Sequence, residues 1–152
     1  MPDQITSAPL TATPLAGTDP ALGAALAAAR LPVADLAEPG SQFFTFALPE
    51  SAGRLYGGIM LLEGHALLRS ILVPEGQRRA GLGSAVLAAL IEAAKAAGAQ
   101  DLWALSPAAA APFFTHRGFR EVARYEAPQV VLHSRLAGLT CPISTVILTR
   151  AL

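Results

Sequence analysis

Two periodicities alternate along this chain, and the change between them is clearest at one point. Residues 67–73 form an apolar run interrupted by Arg69 and Ser70, whereas from Leu82 onward Val86, Leu87, Leu90, Ile91 and Ala94 recur at helical spacing, with Glu92 and Lys95 on the opposite face. The first pattern predicts a buried strand and the second an amphipathic helix. Between them lies a polar turn carrying Gly81 and Gly83, so the unit reads strand, turn, helix. Gly98 is a natural stop for the helix, because glycine accepts the left-handed conformation that closes a last turn.

The reading extends both ways from that unit. Residues 1–9 are polar and proline-punctuated and are expected to fray. Residues 10–16 suit a short strand, which Pro14 confines to a sheet edge because it has no N–H for a ladder. Asp19 caps and Pro20 opens a helix over residues 21–30. Residues 31–38 read as a short second helix closed by Pro39 and Gly40. Aromatic and β-branched residues mark strands over 41–48 and 55–62, joined by a proline and glycine loop over 49–53. Glu63 and Gly64 make a two-residue turn into a strand over 65–73, which sets Leu62 opposite His65 and Gly58 opposite Arg69. Gly57 and Gly58 then predict open space beside Arg69 and Ser70 where a substrate can approach. Further on come a buried strand over 101–106, a helix over 108–116, a strand over 119–125, a loop with one helical turn over 127–138, and a last strand over 144–152. With no repeat and no linker, residues 1–152 read as one domain.

Composition narrows the class of partner. At 53% hydrophobic and 14% charged residues, the chain has the means to bury a core. Its 11 cations and 11 anions are scattered and sum to zero, so nothing electrostatic points to nucleic acid or to an anionic membrane. A small molecule is the expected partner. The single Cys141 excludes an internal disulfide and cannot alone build a metal site, so no metal is expected. A cytoplasmic location fits, because the first residues lack a signal peptide's basic and apolar regions and no run approaches the ~18 apolar residues of a membrane helix.

The turn after residue 73 has a physical use. Gly81 and Gly83 let backbone approach a bulky anion, and the first N–H groups of the helix have no intrahelical partner. Arg78 and Arg79 would strengthen such a cradle. On these residues alone, a phosphate site and an ordinary strand-to-helix turn are equally good readings.

Two motifs decide between them. Arg78-Arg79-Ala80-Gly81-Leu82-Gly83, after a strand ending Ile71-Leu72-Val73-Pro74, resembles the R/Q-x-x-G-x-G/A signature of the GNAT superfamily of acetyl-CoA-dependent N-acetyltransferases. Phe113-Phe114-Thr115-His116-Arg117-Gly118-Phe119 resembles that family's F-Y-x-x-x-G-F element. The resemblance implies an α/β (α+β) fold with a mixed sheet of roughly six to seven strands flanked by about four helices. It implies acetyl-CoA as cosubstrate, with the pantetheine arm along Ile71, Leu72 and Val73. The pyrophosphate would lie over the amides of Arg78, Arg79, Ala80, Gly81, Leu82, Gly83 and Ser84. A small-molecule amine is the implied acceptor, and a homodimer is expected by analogy alone.

A narrower resemblance runs over residues 31–152. Ala66-Leu67-Leu68-Arg69-Ser70, the pair Phe113-Phe114 and Leu139-Thr140-Cys141-Pro142-Ile143-Ser144 are similar to the arsenic-resistance N-acetyltransferase subfamily. That implies an amino-acid-like acceptor bearing an anionic arsenic or phosphorus group. Arg69, with its forked donors, is then either a contact to that group or one half of a rim salt bridge, and Ser70 either positions the amine or fills the strand.

No catalytic residue can be named from the sequence. Where the family carries a tyrosine thought to protonate the leaving sulfur, this chain has Phe114, so Ser106, Thr115, Tyr125 or a water is left to substitute. The strand over 67–73 holds no carboxylate, and Glu63 is about 26 Å from the reacting carbonyl at the rise of a strand. His65 is expected in solvent, His116 and His133 at the surface or as caps, Cys141 as a small buried hydrophobe and Trp103 in the core. A catalytically weak acetyl-CoA-binding sensor or interaction module of the same fold is the rival reading.

Overall fold

The computed structural model describes residues 11–47, 54–73 and 81–152. Strands β1 (Ala12–Leu15), β2 (Ser41–Ala47), β3 (Arg54–Leu62), β4 (His65–Leu72), β5 (Asp101–Pro107), β6 (Arg120–Val122) and β7 (Thr145–Ala151) form one sheet. Their spatial order is β1-β2-β3-β4-β5-β7-β6, and only the β4–β5 pair is parallel. The helices are α1 (Pro20–Ala28), α2 (Leu82–Ala96), α3 (Ala111–Thr115), α4 (Gln129–Leu132) and α5 (Arg135–Gly138). A mixed sheet with this helix set is the fold the motifs implied. Strand β1 lies at the sheet edge, where Pro14 can pair with Phe44 without a missing N–H disturbing a second neighbour.

Local chemistry explains the elements that hold the sheet. The Asp19 carboxylate accepts hydrogen bonds from the N–H of Ala21 at 2.8 Å and of Leu22 at 3.4 Å, so α1 begins where the sequence predicts. Its Leu22 and Leu26 are fully buried against Phe43 and Tyr56 on one face of the sheet. On the other face α2 buries Val86, Leu87, Leu90, Ile91 and Ala94, the stripe read from the spacing.

The hairpin register is also as expected, with Leu62 opposite His65 and Gly58 opposite Arg69. The space expected beside the two glycines is filled, however. A Cβ on Gly57 would lie 2.8 Å from Val86 and 3.0 Å from Leu90, and one on Gly58 2.8 Å from the Phe43 ring. These glycines let α2 and Phe43 close onto β3.

Three stretches differ from the sequence reading. Residues 31–38 form turns instead of a helix, closed by hydrogen bonds from Glu38 N–H to Asp35 O and from Ser41 N–H to Glu38 O. Pro32 and Pro39 supply no N–H, and Asp35 is turned inward to a charged partner. The strand expected over 119–125 is reduced to β6, after which a 3-10 turn at Arg124–Glu126 folds back so that Glu126 accepts from Ala123 N–H at 2.8 Å. Residues 127–138 contain two short helices, the second capped by the Ser134 hydroxyl, which accepts from Ala137 N–H at 3.1 Å. The start expected to fray, the loop expected over 49–53 and Arg78, Arg79 and Ala80 of the expected turn lie outside the described residues. No helix among the described residues is long and apolar enough to cross a membrane.

Candidate functional site

The site is built where β4 and β5 stop being neighbours. Their ladder runs from His65–Asp101 to Leu67–Trp103 and ends there. At this closed end His65 Nδ1 lies 2.6 Å from Asp101 Oδ1, and Trp103 Nε1–H donates to the same oxygen at 2.9 Å. The His65 side chain is 16% exposed, so it is part of a clip between strands and not the solvent-facing residue the sequence suggested.

Beyond Leu67 the strands separate, and a bulge in β4 accompanies the change. Pairing with β3 shifts from Gly58–Arg69 to Tyr56–Leu72, which leaves Ser70 and Ile71 facing the single residue Gly57. Ser70 sits at φ 59°, a left-handed conformation costing a non-glycine residue about 1–3 kcal/mol and found where surrounding structure over-determines it.

The opening is a cavity of about 490 Å³. Arg69, Ser70, Ile71, Leu72 and Val73 line one side, Ala104 to Pro107 the other, and Gly83, Phe113 and Phe114 the helical end. Of the residues expected at the cofactor, Ile71, Leu72, Val73 and Gly83 therefore border one space. Gly81 precedes α2 at φ 76°, which needs glycine, and Leu82 is the first helical residue. A Cβ on Gly83 would lie 3.1 Å from the Phe113 ring, so this glycine lets the two motifs pack together. Ser84 faces away from the cavity, toward Arg117.

Arg117 is the contributor that the sequence reading missed. Gly118, at φ 90°, turns the chain after it. The guanidinium lies 4.0 Å over the Phe113 ring, donates to Phe113 O at 2.6 Å and donates through Nε to Ser84 Oγ at 2.6 Å. A fixed cation thus stands beside the first turn of α2, where the helix dipole already favours an anion. Its place immediately before the glycine of the second motif was the available signal.

Arg69 is neither a rim salt bridge nor a free clamp. Its side chain is 1% exposed; Nη1 donates to Asp35 Oδ2, Nη2 to Pro32 O at 3.3 Å and Nε to Ser70 Oγ at 3.0 Å. The guanidinium also lies 5.2 Å over the Phe43 ring. Asp35 is equally buried, so the pair ties the turns after α1 to β4.

Three hydroxyls were open as substitutes for the missing tyrosine. Thr115 is exposed and donates to Pro112 O at 3.3 Å, and Tyr125 is 88% exposed. Ser106 alone of the three lines the cavity, buried, with its hydroxyl donating to Pro107 O at 2.8 Å. Phe114 is held edge-on between Phe113 at 5.1 Å and Phe119 at 5.4 Å. Among the described lining residues there is no carboxylate and no histidine. His116 and His133 sit at the C-terminal caps of α3 and α4. Cys141 is exposed and not the buried hydrophobe expected. The Ser144 hydroxyl, then the backbone N–H groups of Ser144 and Ile143, hydrogen-bond the Cys141 sulfur and hold its pKa below the usual thiol value.

The model of the Acetyltransferase (GNAT) family matches residues 21–119. A Klebsiella pneumoniae structure provisionally assigned as an acyl-CoA N-acyltransferase is similar, with TM-score 0.73 and 22% identity over 94% of this chain and 97% of that one. A GNAT-family acetyltransferase from Staphylococcus aureus has TM-score 0.69 and 15% identity, covering 93% and 99%. N-acetylglutamate synthase from Neisseria gonorrhoeae, solved with coenzyme A and N-acetyl-glutamate, has TM-score 0.69 and 18% identity over 93% of this chain but only 35% of its own length. No curated protein matches the chain.

Proposed function

Because the chain belongs to the GNAT family of acetyltransferases, we propose that it transfers the acetyl group of acetyl-CoA to the amine of a small molecule. The observation that carries this reading is the opened β4–β5 seam: a strand left without its parallel neighbour beyond Leu67, next to the glycine-led start of α2. An extended thioester arm fits such an edge by adding itself as a strand. In this reading Ile71, Leu72 and Val73 receive the pantetheine arm, and Gly81, Leu82, Gly83 and Ser84, with Arg78, Arg79 and Ala80, receive the pyrophosphate. Arg117 supplies further positive charge there. That the structural neighbour from Neisseria holds coenzyme A together with an N-acetylated amino acid supports both the donor and the amine acceptor.

In this reading Arg69 and Ser70 lie on the acceptor side of the cavity, and the Ser106 hydroxyl turns from Pro107 O to donate a hydrogen bond to the leaving sulfur. With no carboxylate or histidine on the described walls, the amine arrives neutral or loses its proton through water. The finer reading, an amino-acid-like acceptor with an anionic arsenic or phosphorus group, rests on the segments around Arg69, Phe113 and Cys141. The same lack of a titratable wall favours a second reading, an acetyl-CoA sensor of this fold with little turnover.

Acetyl-CoA is expected to raise the Tm, and Gly83→Glu, which sets a carboxylate at the start of α2 beside Phe113, is expected to abolish that rise. An unchanged rise in the variant contradicts the site. Thiol release from acetyl-CoA across a panel of amines, including amino-acid analogues with arsenic or phosphorus oxyanions, identifies the acceptor. Binding without release from any amine would favour the sensor.

A further inference from the structure

The bulge in β4 carries a buried chain of hydrogen bonds that ends at the cavity wall. Asp35 accepts from Arg69 Nη1, and Arg69 Nε–H donates to Ser70 Oγ at 3.0 Å. The Arg69 and Asp35 side chains are 1% and 0% exposed, while Ser70 is half-buried and lines the cavity. A hydroxyl has one proton to give and two lone pairs. Here a lone pair is engaged by a cation, and no group among the described residues accepts the proton. The other serine on the wall differs, since Ser106 already donates to Pro107 O.

Three features coincide at Ser70. It stands at φ 59° in the bulge, it is followed by Ile71 on the strand edge that β5 has left, and its oxygen is polarised by a guanidinium fixed in place. Donation from a charged group into the oxygen strengthens the donation that oxygen can make in turn, because linked hydrogen bonds polarise one another. Strain of this kind at a cavity points to use of the group it presents.

We infer that the Ser70 hydroxyl is a hydrogen-bond donor to the thioester carbonyl oxygen, with Arg69 and Asp35 as the positioning residues that aim it; this rests on the proposed acetyl transfer. The amine nitrogen attacks the carbonyl carbon, a C–N bond forms and the carbonyl π pair moves onto oxygen. Ser70 O–H donates to that oxyanion without giving up its proton. When the carbonyl re-forms, the C–S bond breaks and the thiolate leaves with its electron pair. The amine's lost proton passes through water to the thiolate, giving amide and free thiol. A donor aimed at the oxyanion stabilises the transition state more than the bound thioester, so it acts mainly on kcat.

Ser70→Gly tests this without straining the fold, because glycine is at ease at φ 59°. The probe is isotope-labelled acetyl-CoA, with binding followed by calorimetry and the carbonyl stretch of the bound thioester by difference infrared spectroscopy. The expected result is near-unchanged affinity, a carbonyl band moved to higher wavenumber in Ser70→Gly, and kcat lowered roughly 100-fold with KM for acetyl-CoA little altered. Arg69→Lys, which keeps the charge but loses Nε, is expected to move the band the same way. A band identical in wild type and Ser70→Gly, with both proteins binding, overturns the donor role and leaves the acetyl-CoA site standing. Absence of binding by the wild type overturns the proposed function itself. A band unmoved in Arg69→Lys overturns the positioning role.

Discussion

At one end of the seam between β4 and β5, His65 and Trp103 converge on a single carboxylate oxygen of Asp101, and the strands are laddered from residue 65 to residue 67. At the other end, Ser70 to Val73 and Ala104 to Pro107 border a cavity of about 490 Å³. The same two strands supply both ends. What separates them is one inserted residue in β4 and the polar groups placed around it. At the closed end the polar side chains satisfy one another across the strands, whereas at the open end Arg69 turns away from β5 toward Asp35. A parallel pair is thus clipped where it must hold and opened, by a bulge anchored from behind, where a ligand can enter.

The largest expected effect comes from removing the anchor of the open end. Asp35→Ala leaves a buried guanidinium without its counter-ion, which costs about 3–5 kcal/mol and lowers the Tm on the order of 10 °C. Calorimetric scanning checks it; a loss no larger than that of a surface substitution would remove Arg69–Asp35 as the anchor. The closed end is the counterpart. Asp101→Ala removes the acceptor shared by His65 and Trp103 and is expected to cost ~1–3 kcal/mol, with acetyl-CoA affinity unchanged in the folded protein. If affinity falls as sharply as stability, the two ends are one unit and the contrast between them fails.

A smaller effect sharpens the chemistry of the open end. Ser106→Ala is expected to lower kcat about 10-fold or more while sparing the KM for acetyl-CoA, because in the proposed reaction its hydroxyl turns from Pro107 O to the leaving sulfur and takes no part in binding. Steady-state thiol release measures this, and an unaltered kcat removes Ser106 from the reaction. The smallest effect lies off the seam. The Cys141 thiol has its folded pKa lowered chiefly by the Ser144 hydroxyl, so its thiolate forms at lower pH than in the unfolded chain. The stability it contributes is present above the unfolded thiol pKa and lost as pH falls through the folded one. Alkylation of Cys141 near neutral pH is therefore expected to slow in Ser144→Ala, with neither end of the seam affected.

How much of this was legible in the sequence depended on the distance over which each feature is decided. The register of the β3–β4 hairpin follows from a two-residue turn at Glu63 and Gly64, and the buried face of α2 follows from spacing within one helix; both are local and both could be read. The two glycine-bearing motifs pointed to the cavity. The partner of Arg69 could not be read, because Asp35 comes from turns far earlier in the chain that look like a short helix until their carboxylate is seen to face inward. The bulge was hidden for a different reason. A serine at φ 59° has no compositional mark, and neither does a strand that loses its neighbour after three residues. The glycines of β3 misled in an informative way: absent side chains signalled close packing by Phe43 and α2 and not a vacancy.

The central claim is that acetyl-CoA enters the open end of the seam and leaves the closed end untouched. Backbone amide chemical shifts recorded while acetyl-CoA is added test it most directly. The account predicts large shifts at Ser70, Ile71, Leu72, Gly81 and Gly83 and none at His65, Ala66 or Trp103. Saturable binding that moves the amides around Asp101 while leaving those from Ser70 to Leu72 in place would contradict it.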